Sequence, residues 1–475
     1  MRATDEPHLA RWLGLADDAD TGPGAVTGLG SGAAAGLPPS TWRALSVAAR
    51  RHGVEADEGP LRAAWERGEP LGSGAQGEVR AATWRGANVA IKRIDVIDRL
   101  GALSLAREVH ASLTVVGGHL DLLPLLGFAV IVEGERVAAW TATPRLAGGP
   151  LSLWLDAAAP GFLAAANAAR KVPDAARPAL ALFVASGPAG LAQRLRVAAS
   201  VGRALAWLHT SGNDGGCGGG PVVHRDVKPS NILMDGWGRA RLGDLGLARR
   251  IDTSVSSGAV DPSAPLSSAT NATTTAETGT PLWMSPEAAG VAGASGPSVG
   301  PASDVWSLGL VTASCASALP PYHGSFLTPE QATRAVANGQ LRPSAPGEAP
   351  GCPAAGVRAG SPGLARAAAT CRACWGEADQ AGGLAKGCLG RGLRFALFTT
   401  GATTCPLLYP RRQRPPAAWV AEQLDRAADE LELEARTATS DPGLLGLLGG
   451  WTAGWTGGGT KGGDATVPGW GGPEN

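Results

Sequence analysis

"VVHRDVKPSNILMDGWGRARLGDLGLARR", residues 222–250, concentrates rare residues in a chain that is poor in them. The 475 residues include 5 lysines against 36 arginines, 7 histidines and 7 asparagines. Eight residues, 224–231, take one His, one Lys and one Asn, with Asp226 among them. At this composition the pattern H-R-D-x-K-x-x-N arises by chance on the order of a few times in a million. Such a window needs a chemical reason, and the rest of the chain has to supply its context.

The bulk numbers narrow the classes. A length of 475 residues allows two or three domains or one large two-lobed enzyme, and 44% hydrophobic residues suffice for a core. The formal net charge is zero, which gives no field for nucleic acid or an acidic membrane surface. With 69 Gly and 36 Pro, a motif built from glycine alone carries little weight. Seven cysteines are sparse and odd in number, so a disulfide framework is excluded in favour of a reducing compartment. Cys371 and Cys374 are spaced C-x-x-C, with Cys388 and Cys405 later, but no second close pair or nearby histidines complete a zinc site. They read as two apolar side chains on one helix face. The first residues, "MRATDEPHLARWLGLADDAD", put charges where a signal peptide needs an apolar core, and no run of eighteen apolar residues occurs. The reading is a soluble, cytoplasmic protein without a membrane span.

Along the chain, residues 1–60 are of low complexity and read as disordered, apart from one short helical piece near Trp42. "EVRAATWRG" (78–86) and "ANVAIKRI" (87–94) alternate like paired strands turning at Arg85-Gly86. "LSLAREVHASLTVV" (103–116) has helical spacing, and "DLLPLLGFAVIV" (121–132) and "ERVAAWTAT" (135–143) read as two further strands. Beyond Pro150 the pattern turns mainly helical, with "LAQRLRVAASVGRALAWLH" (191–209) as an amphipathic helix. The Gly/Trp-rich tail, 438–475, reads as disordered.

"LGSGAQGEV" supplies G-x-G-x-x-G at Gly72, Gly74 and Gly77, a pattern that this glycine content yields about once by chance. Its context adds weight, because it joins two strands. A strand-to-strand glycine loop can fold over phosphates and offer backbone N–H groups without Cβ clashes. A dinucleotide fingerprint needs a helix to follow, and "EVRAATW" is none, so an oxidoreductase reading fails. "VAIK" ends on Lys92, where an ammonium can neutralise phosphate oxygens beneath the loop. Glu108, sixteen residues on and within the helical stretch, can hold that ammonium in place.

These blocks, "VAIK", "HRDVKPSN" and "DLG" in that order, resemble the protein kinase family. "SPE", "DVWSLG", "CW" and "RPP" follow as in serine/threonine kinases of the tyrosine-kinase-like group. The resemblance implies an α+β, two-lobed protein kinase fold: a small antiparallel β lobe with one helix, plus a larger, mainly helical lobe. The domain would span 61–437, with the small lobe at about 66–146 and the large lobe at about 147–437. Insertions interrupt it at about 156–190, 211–220 and 380–410. The implied activity is transfer of the γ-phosphate of ATP, with Mg²⁺ (or Mn²⁺), to Ser/Thr of protein substrates.

The site residues carried over by motif position are these. Lys92 grips the α- and β-phosphates and pairs with Glu108. Asp244 and Asn231 ligate metal. Asp226 orients the substrate hydroxyl, and Lys228 lies near the γ-phosphate. Leu71, Gly72, Ser73, Gly74, Ala75, Gln76 and Gly77 form the glycine loop. Thr143 is the gatekeeper, and the hinge runs from Pro144 to Leu146, with Leu146 supplying its N–H and carbonyl. Val79, Ala90 and Leu233 sandwich the adenine. His224 is expected in the core, and Arg225 is expected to receive a phosphate from the activation segment, at Thr275 or Thr278. Thr280 is expected to face Asp226 and Lys228. Glu287 would pair with Arg414, and Asp304 would bond the backbone around the catalytic loop.

Two departures stand out. Leu245 replaces the commoner Phe, and it stays apolar. The stretch 380–410 interrupts a region that is continuous in the family; it is either a docking insertion or an unspliced segment. The competing reading, a catalytically silent kinase-fold scaffold, is disfavoured because Lys92, Glu108, Asp226, Asn231 and Asp244 are all of the working type.

Overall fold

The computed structural model describes residues 39–54, 58–74, 77–96, 99–115, 119–133, 136–210, 221–251, 280–289, 299–347, 357–358, 360–376 and 414–439. Ala75, Gln76, Thr275, Thr278, the stretches 211–220 and 380–410, and the tail beyond 439 lie outside them.

Alternation of apolar and polar residues builds the small lobe. Strands β1 (Glu69–Gly74), β2 (Gly77–Trp84), β3 (Ala87–Val96), β4 (Gly127–Glu133) and β5 (Arg136–Pro144) form one antiparallel sheet. Their spatial order is β1-β2-β3-β5-β4. β2 and β3 meet at the expected two-residue turn, where Arg85 and Gly86 have φ of 51° and 78°. Positive φ at both central residues matches the twist of the flanking strands. On β3 the side chains of Val89 and Ile91 are buried on one face. Ala90 and Lys92 therefore share the other face. Val79 stands opposite Lys92, and Thr143 stands opposite Ala90, so all four line the same face.

Three helices cover this sheet; the helical piece expected near Trp42 is one of them, and the reading of the rest of 1–60 as disordered is corrected where the next helix begins at Glu58. Helix α1 (Pro39–Arg51) buries Trp42, Leu45 and Ala49 against helix α3 (Arg99–Val115) and the sheet. Helix α2 (Glu58–Glu66) lays Leu61, Ala64 and Trp65 on the opposite face, over Val89, Ile91 and Trp140. The Arg80 guanidinium stacks 4.0 Å from the Trp65 ring centre. These short helices form because the small lobe offers them an apolar surface.

The strand expected over 121–132 begins only at Gly127. Pro124 has no N–H to give a ladder. Instead, the preceding residues hook the two lobes together. Leu123 donates its N–H to the Leu242 carbonyl at 2.8 Å, and Leu242 donates to the Asp121 carbonyl at 2.8 Å. Arg203 adds a 2.9 Å ion pair to Asp121.

The large lobe is helical. Its central helix, α7 (Pro188–Thr210), packs against α8 (Pro301–Ser317) and α11 (Ala417–Thr439), and α10 (Pro362–Cys374) fills in beside them. Between β5 and α7 the chain runs through β6 (Gly149–Pro150), α4 (Leu151–Ala158), α5 (Phe162–Lys171) and α6 (Arg177–Val184). The stretch read as a 156–190 insertion is thus largely helical, and its Val172 and Phe183 are fully buried. α9 (Pro329–Ala337) lies beyond α8. Trp154, Trp306 and Trp375 anchor the core. Cys371 and Cys374 are buried in α10, and burial pushes the Cys374 thiol up to about 12. Among the described residues no single helix is long and apolar enough to cross a membrane.

Candidate active site

Lys92 projects from β3 toward Glu108 of α3. Its Nζ lies 3.4 Å from Glu108 Oε1 and 3.8 Å from Asp244 Oδ1. Burial works against the ammonium, but the two carboxylates outweigh it and hold the Lys92 pKa above its usual value. For Glu108, burial pushes the pKa up and the Asp244 charge adds to this; Lys92 only partly offsets them. One cation facing two half-buried carboxylates leaves surplus negative charge in the cleft.

The 224–231 loop is held by bonds to partners outside it. β7 (Val222–Val223) pairs with β10 (Arg249–Arg250). After β7, the N–H groups of His224 and Arg225 each donate to the Asp304 carboxylate at 2.8 Å. Two N–H groups on one buried carboxylate fix the peptide plane that leads into Asp226. Arg225 adopts φ of 70°, a left-handed conformation that costs energy in a non-glycine residue. His224 is fully buried, and its Nε2 lies 2.9 Å from the Gly243 carbonyl, so the expected core role is what the geometry shows.

From that frame the polar side chains converge. Lys228 Nζ lies 2.6 Å from Asp226 Oδ2. Thr280 bridges the pair, donating to Asp226 Oδ1 at 3.0 Å and accepting from Lys228 at 2.5 Å. Asn231 Nδ2 donates to the Asp226 carbonyl at 2.8 Å and to Oδ2 at 2.9 Å. The Gly243 N–H donates to the Asn231 carbonyl at 2.8 Å, tying β8 (Ile232–Met234) and β9 (Ala240–Leu242) together next to Asp244. Asp244 takes φ of 58° and accepts from the Gly246 N–H at 3.3 Å. Leu245 is buried in the large-lobe core, where an apolar residue is all that the packing asks.

Six of the residues picked from the sequence therefore form two groups, Lys92–Glu108–Asp244 and Asp226–Lys228–Asn231, joined by the backbone bond from Gly243 to Asn231. The glycine loop is looser. Leu71, Gly72 and Ser73 are exposed. Gly77 is required by the fold, because a Cβ there would lie 2.0 Å from the Arg93 carbonyl oxygen. A Cβ on Gly72 would meet nothing within 4 Å, so no packing demands glycine at that place. At the lobe junction, Arg145 donates its N–H to the Asn88 carbonyl at 3.0 Å and Gly148 donates to Met234 at 2.8 Å. Thr143, Pro144 and Leu146 lie along this connection, and Leu233 stands on β8 opposite Pro150.

The donor set suits a hard cation. Asn231 spends its NH₂ group on Asp226, which leaves the amide oxygen as its acceptor, and Asp244 offers a carboxylate. Amide and carboxylate oxygens are the ligands of Mg²⁺, which takes one or two carboxylates and completes its shell with phosphate and water. Among the described residues no group of three or more His, Cys, Asp or Glu could hold a metal by itself.

Two supports escaped simple motif reading. His209 Nε2 lies 2.9 Å from Asp304, and Ser303 Oγ donates to Glu287 at 2.7 Å. Neither residue has a local sequence signal, since each acts across a helix contact. Glu287 accepts two bonds from Arg414, at 2.7 and 3.0 Å. Burial pushes the Glu287 carboxyl up, but Arg414 and Ser303 outweigh it and hold its pKa below the ordinary range. A carboxyl held low when folded stabilises the chain above its unfolded value of about 4.3, and that stabilisation is lost as the pH falls through the lower folded value. The urea midpoint should therefore fall between pH 5 and pH 3, and Glu287→Gln should flatten this fall. An unchanged slope in the variant would assign the acid transition elsewhere.

Residues 183–341 match the family model of the protein kinase domain. Among curated proteins, the chain is 39% identical over 101 residues to mitogen-activated protein kinase kinase kinase 3 of Homo sapiens. It is 32% identical over 120 residues to the serine/threonine-protein kinase STE20 of Eremothecium gossypii. It is 30% identical over 125 residues to MAP3K epsilon protein kinase 1 of Brassica napus. These alignments cover 21%, 25% and 26% of the chain, and 13%, 9% and 7% of the respective relatives.

Proposed function

We infer, for a chain with the two-lobed α+β protein kinase fold and a protein kinase domain match over residues 183–341, that it transfers the γ-phosphate of ATP to serine or threonine of protein substrates. One observation carries this reading. An ammonium from the small lobe pairs with Glu108 and Asp244, and the Asp-Lys-Asn set of the large lobe is tied beside it by the Gly243 N–H on the Asn231 carbonyl, although Lys92 and Asp226 are more than a hundred residues apart in sequence. Placement on the tyrosine-kinase-like branch rests on "SPE", "DVWSLG", "CW" and "RPP".

Phosphate transfer asks a protein for positioning and charge neutralisation more than for covalent help. On this reading Lys92 holds the α- and β-phosphates, and Glu108 keeps its ammonium from swinging away. Asp226 accepts the hydrogen bond of the acceptor hydroxyl and aims its lone pair, and Lys228 stands beside it to neutralise the phosphate being moved. The 2.5 and 3.0 Å bonds of Thr280 hold those two side chains, themselves in contact, in a fixed pose. A hydroxyl acceptor entering the site would take over the place of the Thr280 bond on Asp226. Mg²⁺ bound at Asn231 and Asp244 would supply neutralisation of the phosphate oxygens. Gly72, free of packing demands, lets the loop backbone approach the phosphates. Thr143, Val79, Ala90 and Leu233 would enclose the adenine, with the Leu146 backbone at its edge.

The test is incorporation of labelled γ-phosphate from Mg-ATP into a generic Ser/Thr acceptor protein. Incorporation no higher than in a protein-free blank would overturn the reading. Lys92→Ala removes one preorganised cation from the site, a kind of loss that lowers turnover by about 10²–10³-fold. Retention of more than a tenth of wild-type turnover would show that Lys92 is not at the phosphates.

A further inference from the structure

Helix α1 places Trp42, Leu45 and Ala49 at spacings of three and four residues on one buried face, while Val47 is exposed. Trp42, Leu45 and Ala49 share one buried cluster with Leu105, Ala106, Val109 and Leu113 of α3. Phe128, Val137 and Ala139 of the sheet close the cluster. The chain leaves α1 through Gly53, at φ of 73°, and Val54 folds back to donate to the Ala49 carbonyl at 2.9 Å, so Val54 joins the same cluster. Arg43, Arg50 and Arg51 lie on the exposed side.

α3 also carries Glu108, immediately before Val109. Two features make its hold weak apart from packing. It has no acidic residue in its first turn and no basic residue in its last, so its dipole gains no side-chain support. Its link to Lys92 is also long: 3.4 Å, where a charge-assisted bond is about 2.7–2.9 Å. A small outward shift of α3 would end that link. α1, at 13 residues, is too short to be stable by itself in water, so its formation and its docking on α3 are one event.

We propose that Trp42 and Leu45 are positioning residues for phosphate transfer, acting on Glu108 through the helix that carries it. The inference rests on the reading of Lys92 and Glu108 as the pair that places the nucleotide. α1 is in effect a built-in clamp: when docked, it presses α3 toward the cleft and keeps Glu108 on Lys92.

The experiment uses the full chain. Leu45→Ala should lower kcat about tenfold, within the range that a 1 Å misplacement costs, and leave KM for the protein acceptor unchanged. Leu45→Met, which keeps the volume, should restore kcat to within about twofold of wild type. Leu61→Ala removes the same side chain from α2, on the face of the sheet away from α3, and should leave kcat within about twofold at 20 °C. In a Glu108→Gln background, Leu45→Ala should add less than about a twofold loss, because both changes act on one link. If Leu45→Ala gives no soluble protein, Leu45→Val read by the same assay replaces it. Wild-type kcat in Leu45→Ala or Leu45→Val, or a tenfold loss that multiplies in full with Glu108→Gln, overturns the proposal. A wild-type chain that transfers no phosphate sinks the functional reading and this inference together; an active wild type with an active Leu45→Ala sinks the inference alone.

Discussion

Asp226→Asn is expected to lower phosphate transfer by about 10²–10⁴-fold, the range over which a positioned acid–base group acts. The side chain keeps its size, so the packing around the catalytic loop survives. What changes is the chemistry of one oxygen. In the native arrangement Lys228, Thr280 and Asn231 all donate to the Asp226 carboxylate. An amide offers one acceptor oxygen where the carboxylate offers two, so these three donors can no longer all be accepted. On the proposed reading, the negative charge that draws the acceptor hydroxyl is lost as well. The measurement is labelled phosphate incorporation by both proteins at saturating Mg-ATP, with thermal unfolding as the control for folding. The same incorporation by variant and wild type would remove Asp226 from the reaction. ATP affinity should change little, because Lys92 and the hinge are untouched.

The site was legible because its chemistry is compressed into short windows. His224, Asp226, Lys228 and Asn231 fall within eight residues, and a loop held by Asp304 must bring such neighbours together. Lys92 and Glu108 could be paired in advance because one lies on a strand and the other sits inside the helix that follows it. The β2–β3 hairpin was readable from its alternation and its Arg-Gly turn. Other parts depend on partners distant in sequence. α2 shows only a few apolar residues, a pattern too short to mark a packed helix until the sheet provides the surface, and the helical piece read near Trp42 finds its partners only in α3 and the sheet. The 121–126 connection looked like a strand because it is apolar; its bonds go to Leu242 of the other lobe, which no local pattern encodes. The left-handed backbone at Arg225 and Asp244 is likewise imposed by the frame around them, since neither residue type asks for it.

Arg414→Ala should be the most destabilising single change, by about 3–5 kcal/mol, the cost of stranding one charge of a buried pair. The Arg414 side chain is 0% exposed and Glu287 is 8% exposed. Arg414 makes two bonds to the carboxylate and one, at 3.0 Å, to the Ala302 carbonyl at the start of α8. Its guanidinium also lies 5.0 Å from the Trp306 ring centre. Truncation therefore leaves a buried carboxylate without its cation, removes one bond to the Ala302 carbonyl and opens a cavity beside Trp306. The consequence reaches the site through α8, because that helix carries Asp304, and because Ser307 holds the Trp283 carbonyl at 2.7 Å just after Thr280. A melting curve should show a fall of roughly 10 °C, and activity at low temperature should fall less than stability does. A double variant, Arg414→Met with Glu287→Leu, separates the stranded charge from the worth of the pair. Paired charges of this kind are often replaceable by apolar groups of similar volume at little net cost. The double variant should therefore recover most of the lost stability, and an equally unstable double variant would locate the loss in the Ala302 and Trp306 contacts instead.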